Sequence, residues 1–161
     1  MQRRTFLVAA AGAGLVASTS AKAQGFGGPS EGATRVLMVG GFSLQTSQLA
    51  LQRSRNSQIR NFAQLEANEQ AAVAAALGVQ PGSVPPSQEE AEMLQQLASL
   101  SGRQFDRMYV TGQIQGHQQL LELNSANAQS GGDPLGRAVA IVSVPSIQTH
   151  LQILSGLRRA A

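Results

Sequence analysis

Two carboxylates three residues apart, Glu66 and Glu69, interrupt an otherwise apolar helical stripe, and the chain's two histidines, His117 and His150, fall in two later segments. Imidazole nitrogen and carboxylate oxygen are the donors that hold zinc, manganese or iron, so convergence of these four side chains would make a divalent transition-metal site. Ile59, Phe62, Val73 and Ala76 recur at heptad spacing, and Glu66 and Glu69 share their register. Farther on, Phe105, Tyr109, Leu120 and Leu123 form an apolar face. Asp106, Gln113, His117 and Asn124 step along one line within or beside it, flanked by Val110, Ile114 and Leu121. Near the end of the chain Ile147, Leu151 and Leu154 make a buried stripe with His150 at its edge. The plainer use of Glu66, Glu69, Gln113, His117 and His150 is a hydrogen-bonded polar core, or a solvated edge of these faces. A metal requires the groups to converge; a polar core does not.

Other chemistries find less support. There is no cysteine, which removes disulfides and thiolate metal ligands. Neither His-Glu-x-x-His nor the Glu-x-x-His of ferritin-like di-iron sites occurs. Gly131-Gly132-Asp133 lacks the downstream pattern of a phosphate-binding loop, and no catalytic triad follows from spacing. Glu89, Glu90 and Glu92 lie in the first turn of a short helix, where the helix dipole favours negative charge. Asp106 has the same use, and Tyr109 reads as an amphipathic ring at the bundle edge. Arg53, Arg55 and Arg60 read as wet surface. Arg158-Arg159 could meet a membrane surface or a partner, though two charges supply little affinity. No catalytic residue is assigned, and the chain reads as a non-enzyme.

The elements that must position these groups are helices. Ala, Leu, Val and Ile dominate the apolar set and aromatic content is low, which favours closely packed helices over a β-sandwich. Gly40-Gly41 interrupts an apolar approach, and Ser43 is the expected N-cap of a first helix ending near Ser54. A second helix is expected from Ser57 to Leu77, stopped by Gly78. Ser87 and Glu90 have capping-box spacing for a third over 88–100. A fourth should span 103–128. Asp133 and Pro134 open a fifth reaching Gly156, within which Pro145 leaves the carbonyl of Ile141 without its helical donor. The fold class expected is all-α, a ferritin-like up-down bundle of four to five helices in one domain over 35–157, with a tail at 158–161.

The first 23 residues read as an export signal. Arg3 and Arg4 form its charged start, the stretch from Phe6 to Ala17 is too short to span a bilayer, and Ala21 and Ala23 suit a signal peptidase. Arg3-Arg4-Thr5-Phe6-Leu7 resembles the twin-arginine pattern. Residues 24–34 follow as a flexible leader. Arg3, Arg4 and Lys22 account for three of the twelve basic residues, which leaves nine against nine acidic. No basic patch interleaved with aromatics remains, so nucleic acid is excluded as a partner. No second apolar run of spanning length is read, and the location expected is the periplasm, with outer-membrane association open.

Several stretches also resemble a family. Ile59-Arg60-Asn61-Phe62-Ala63, Gly102-Arg103-Gln104-Phe105-Asp106-Arg107-Met108-Tyr109 continuing to Gly116-His117-Gln118, and Pro145 followed by His150-Leu151 look like the domain-of-unknown-function 4142 family. The resemblance covers about Arg35 to Gly156. It implies an exported bacterial protein with a ferritin-like helical bundle, often labelled a predicted outer membrane protein, and brings no established activity. The family usually has Asp-His where this chain has Glu69-Gln70, and Met where it has Glu66. The function expected is a cell-envelope module that binds an envelope protein or a small ligand without a cofactor, homo-oligomerisation remaining open. The alternative is a metal-binding bundle using His117 and His150 with Glu66 or Glu69, handling oxidants.

Overall fold

The computed structural model describes residues 28–130 and 133–160. The signal at 1–23, with Arg3, Arg4, Ala21 and Ala23, lies outside the described residues. Five helices account for the rest: α1 (Glu31–Arg53), α2 (Ser57–Ala76), α3 (Gln88–Ser99), α4 (Gly102–Ser130) and α5 (Pro134–Ala160). No strand occurs among the described residues.

Four of them form the bundle. Ser43 and Ser47 of α1 meet Gln113 and Tyr109 of α4, so these two helices run antiparallel. Gly40 of α1 lies against Gln70 of α2, and Ala50 joins Ile59 in one core cluster, again antiparallel. Glu66 and Glu69 of α2 meet His150 of α5, and Glu69 also meets Ser146, which makes α5 antiparallel to α2. The order is up, down, down, up, with one crossover between α2 and α4. Helix α3 is that crossover, climbing the bundle until Leu97 joins the core around Phe105 and Tyr109. A single long crossover is the ferritin-like arrangement of a four-helix bundle.

Local chemistry explains the boundaries. Asn56 caps α2 by accepting from the N–H groups of Gln58 and Ile59, and Gly78, at φ 74°, ends it in a conformation that side chains avoid. Ser87 and Glu90 form the reciprocal capping box at the start of α3. Asp133 accepts from the N–H of Leu135, and α5 then runs as helix through Pro145.

The first helix corrects the reading of the sequence. It starts at Glu31, capped by Ser30, so the leader expected over 24–34 overlaps it by a turn. Ser43 is fully buried in mid-helix, its Oγ donating to Gln113 Oε1 at 3.4 Å. Gly40-Gly41 does not break the chain. A Cβ on Gly40 would collide with Gln70 Oε1, so that glycine admits a close neighbour, and one on Gly41 would just touch the carbonyl of Val84. Helix α4 extends to Ser130, and α5 makes the expected tail helical through Ala160; against the expectation of no second apolar run, Pro134–Arg159 is long and apolar enough by composition to cross a membrane. On α2 the buried stripe drifts from Val73 and Ala76 to Ala74 and Leu77, as 3.6 residues per turn requires of a heptad pattern.

Candidate metal centre

The inner face of α2 is Ile59, Phe62, Ala63, Glu66, Ala67, Gln70 and Ala74. Apolar neighbours on both sides carry Glu66 inward, and it is fully buried. On α4 the buried line runs through Tyr109, Val110, Gln113, His117 and Leu120. On α5 it runs through Ile147, His150 and Leu154, so His150 sits within the stripe and not at its edge. The three helices therefore deliver Glu66, His117 and His150 to one point.

Their contacts form a near-equilateral triangle. His117 Nε2 lies 3.1 Å and His150 Nδ1 3.0 Å from the same oxygen, Glu66 Oε2, and the two nitrogens are 3.2 Å apart. Each vertex is held from outside. His117 Nδ1 faces the backbone carbonyl of Gln113 at 2.8 Å; a carbonyl only accepts, so Nδ1 donates and Nε2 is left pointing inward. His150 Nε2 faces Glu69 Oε2 at 3.4 Å, and Ser146 Oγ donates to that same oxygen at 2.9 Å. Gln70 Nε2 donates to Glu66 Oε1 at 2.9 Å. The Phe62 ring packs against both imidazoles, with centroids 5.8 and 5.4 Å away, and excludes water from that side. Glu69 reaches solvent, its side chain 23% exposed.

Burial would push the Glu66 carboxyl up, but the hydrogen bonds and positive fields of His117 and His150 outweigh it and hold the group at about 2. For His150 burial works against the proton, while the Glu66 hydrogen bond and the charges of Glu66 and Glu69 prevail and raise it above the ordinary imidazole value. Burial likewise raises Tyr109, whose hydroxyl pairs with Ser47 Oγ at 2.9 Å. The metal-free cluster is thus an ionised Glu66 carboxylate that accepts from His150 Nδ1 and from Gln70 Nε2.

Of the residues singled out in the sequence, Glu66, His117 and His150 converge, and Glu69 stands behind His150. Gln113 contributes only its carbonyl. Its side chain turns to α1, where Nε2 donates to Thr46 Oγ1 at 2.8 Å. Asn124 donates to its own helix at the carbonyl of Leu120. Asp106 lies elsewhere, buried, with Oδ1 unpartnered in the protein. Gln70 and Ser146 were missed, although Gln70 stands at i+4 from Glu66, a spacing that puts two helical side chains in reach. Gly28-Pro29-Ser30-Glu31-Gly32 has the letters of a nucleophile elbow, yet Ser30 Oγ is occupied in capping α1 and no described strand leads into it.

The glycine at 40 gives a direct test of this support. Gly40→Ala should displace Gln70 and strip Glu66 Oε1 of its partner, a cost of about 1–3 kcal/mol offset in part by the roughly 1 kcal/mol that alanine gains over glycine inside a helix. Urea unfolding measures it; a midpoint raised by that full helix gain would show that Gln70 does not hold Glu66.

Comparison with known proteins places the chain. Residues 14–157 match the family model described as domain of unknown function (DUF4142), which takes in α1 to α4 and α5 as far as Leu157. The chain is a member of the DUF4142 family. A solved structure, the crystal structure of a DUF305 fragment from Deinococcus radiodurans, superposes with a TM-score of 0.62 at 18% identity, over 84% of this chain and 100% of that one. At that identity the likeness concerns the fold. No curated protein matches. What a DUF4142 member does must be read from its own side chains.

Proposed function

We propose that this DUF4142 chain binds one divalent first-row transition-metal ion inside its bundle, with Glu66, His117 and His150 as ligands and without catalytic turnover. One observation carries the reading: both imidazoles have their outer nitrogen engaged by an acceptor while their inner nitrogens meet one carboxylate oxygen. Outer partners of this kind fix the ring orientation of metal-bound histidines. The dimensions fit as well. Ligand bonds of about 2.0–2.1 Å in tetrahedral geometry place neighbouring donors roughly 3.3–3.4 Å apart. The triangle's edges of 3.0–3.2 Å need open by only a few tenths of an ångström. With no thiolate available, the two-nitrogen, one-oxygen set suits zinc, iron or manganese. The export signal read at 1–23 puts this binding in the periplasm.

The test is a Zn²⁺ titration of dialysed protein against a chromophoric chelator. About one equivalent should bind, and Glu69→Gln should weaken it roughly tenfold, as loss of an outer partner does. His117→Ala removes a ligand and should weaken binding by more than about a hundredfold. Equal affinity in wild type and His117→Ala would end the proposal.

A further inference from the structure

The topology sorts the charges. Outside residues 1–23 every basic residue is an arginine, nine in all. Seven of them, Arg53, Arg55, Arg60, Arg103, Arg107, Arg158 and Arg159, lie where α1 and α5 end and α2 and α4 begin, which is one end of the bundle. All seven are exposed. The acid at that end is Asp106, which is buried. Glu31, Glu122 and Asp133 stand toward the opposite end, and Glu89 and Glu90 start α3 on its way up. A chain with balanced charge is therefore strongly dipolar along its axis.

Helix stability accounts for only part of this. Arg53, Arg158 and Arg159 do sit in last turns, where the dipole favours cations. Arg60 and Arg103 sit in first turns, where it opposes them, and neither α2 nor α4 has an acid in its first turn. By contrast α1 and α3 begin with acids as the dipole favours. Arg53 and Arg60 also serve the fold, donating to the carbonyls of Leu100 and Leu51, and α5 at the other end likewise opens with Arg137 and no acid in its first turn; what sets the arginine end apart is the number of exposed cations gathered there.

We propose that this arginine end docks on the phosphates of an anionic lipid bilayer, with the helices standing along the membrane normal. Guanidinium groups pair bidentately with phosphate, which suits an end built from arginine alone. Four helix ends form a face roughly 20 Å across, two helix diameters on a side, and a bilayer is flat on that scale. The exposed large apolar side chains, Leu65, Leu135, Ile141, Val142 and Ile153, belong to the flanks of α2 and α5, so the end face lacks the apolar anchors of a protein interface. Phe42, Phe62, Phe105 and Tyr109 are all buried and offer no surface for stacking bases. Helix α5 is long and apolar enough over Pro134–Arg159 to cross a membrane, but its inner face carries Ile147, His150 and Leu154 into the bundle core, so the proposed attachment is electrostatic.

The experiment is co-sedimentation of the full chain with vesicles of phosphatidylglycerol and phosphatidylcholine in equal parts, comparing two matched double variants that share the same first 27 residues. Arg158→Gln/Arg159→Gln should lower the bound fraction's partition coefficient by at least about tenfold, each basic residue near an anionic surface counting for roughly fivefold. Arg35→Gln/Arg137→Gln, which removes two charges from the other end, should leave it within about twofold. Binding of the wild type should vanish in 1 M salt, where the screening length is about 3 Å. Equal loss in both double variants would overturn the proposal, as would equal binding to pure phosphatidylcholine. Tighter binding to polyglutamate or to a DNA duplex than to vesicles would assign the arginine end to a different partner and overturn it too. Helical circular dichroism shows that each variant is folded, and Arg55→Gln/Arg103→Gln gives a second pair at the same end should the first unfold.

Discussion

Glu66→Ala should destabilise the metal-free protein by about 3–5 kcal/mol near pH 6 and abolish metal binding, the largest effect expected of any single substitution here. The carboxylate is fully buried, accepts from His150 and Gln70, and lies 3.1 Å from His117 Nε2. Without it the charge on His150 keeps only the longer contact to Glu69, and Gln70 loses its acceptor. Urea unfolding measures the stability, and the chelator titration the metal. A companion variant separates the roles of the cluster. Replacing Glu66, His117 and His150 together by leucine removes every fully buried charge at once and leaves only the part-exposed Glu69, and buried ionic groups replaced wholesale by apolar ones often cost little or even stabilise. That triple variant should be at least about as stable as the wild type while binding no metal. A triple variant as unstable as Glu66→Ala would instead show that the cluster is there to hold the fold.

Stability without metal should peak between about pH 4.5 and 6.5 and decline on both sides. Glu66 is held at about 2 in the folded protein against 4.5 for the free group. A depressed acid contributes its stability above the unfolded value and loses it as the pH falls toward the folded one. The interval corresponds to about 3 kcal/mol lost in acid. His150 is shifted in the other sense. Its folded value is raised above 6.5, so its contribution is complete below 6.5 and disappears as the pH rises through the folded value. A bound Zn²⁺ takes the place of the proton on His150 Nδ1, so the alkaline decline should vanish in the loaded protein. At a free metal concentration of a hundred times the dissociation constant, loading should add about 2.7 kcal/mol. Thermal unfolding from about pH 4 to 9, with and without Zn²⁺, resolves both limbs. Metal-free stability that climbs steadily from pH 6 to about 9 would contradict the charged state assigned to His150.

Much of the molecule was readable from its residues, for identifiable reasons. Helices α2, α3 and α5 carry punctuation that could be read: Gly78 ends α2, Ser87 with Glu90 opens α3, and Asp133 with Pro134 opens α5. Helix α1 misled because Gly40-Gly41 and Ser43 resemble a break followed by a cap. Inside a bundle the same residues serve packing, and only the partners Gln70, Val84 and Gln113, distant in sequence, reveal it. The site was half visible. Helical period places Glu66 and His117 on inner faces, yet it is silent on whether two faces meet at the same height. That depends on how α2 and α4, diagonal in the bundle, are registered by the crossover through α3. Gln70 and Ser146 went unread because an amide or hydroxyl declares its role only through the atom it touches. The arginine end was hidden by the even total charge, since seven residues scattered from 53 to 159 gather only once helix directions are known.

The central claim is that Glu66, His117 and His150 hold one metal ion, and X-ray absorption at the metal edge of Zn²⁺-loaded protein tests it most directly. Two imidazole nitrogens and a carboxylate oxygen should appear at about 2.0–2.1 Å, with the imidazole multiple scattering roughly halved in His150→Ala. A shell of oxygens alone, unchanged by His150→Ala, would place the ion on surface carboxylates and contradict the account.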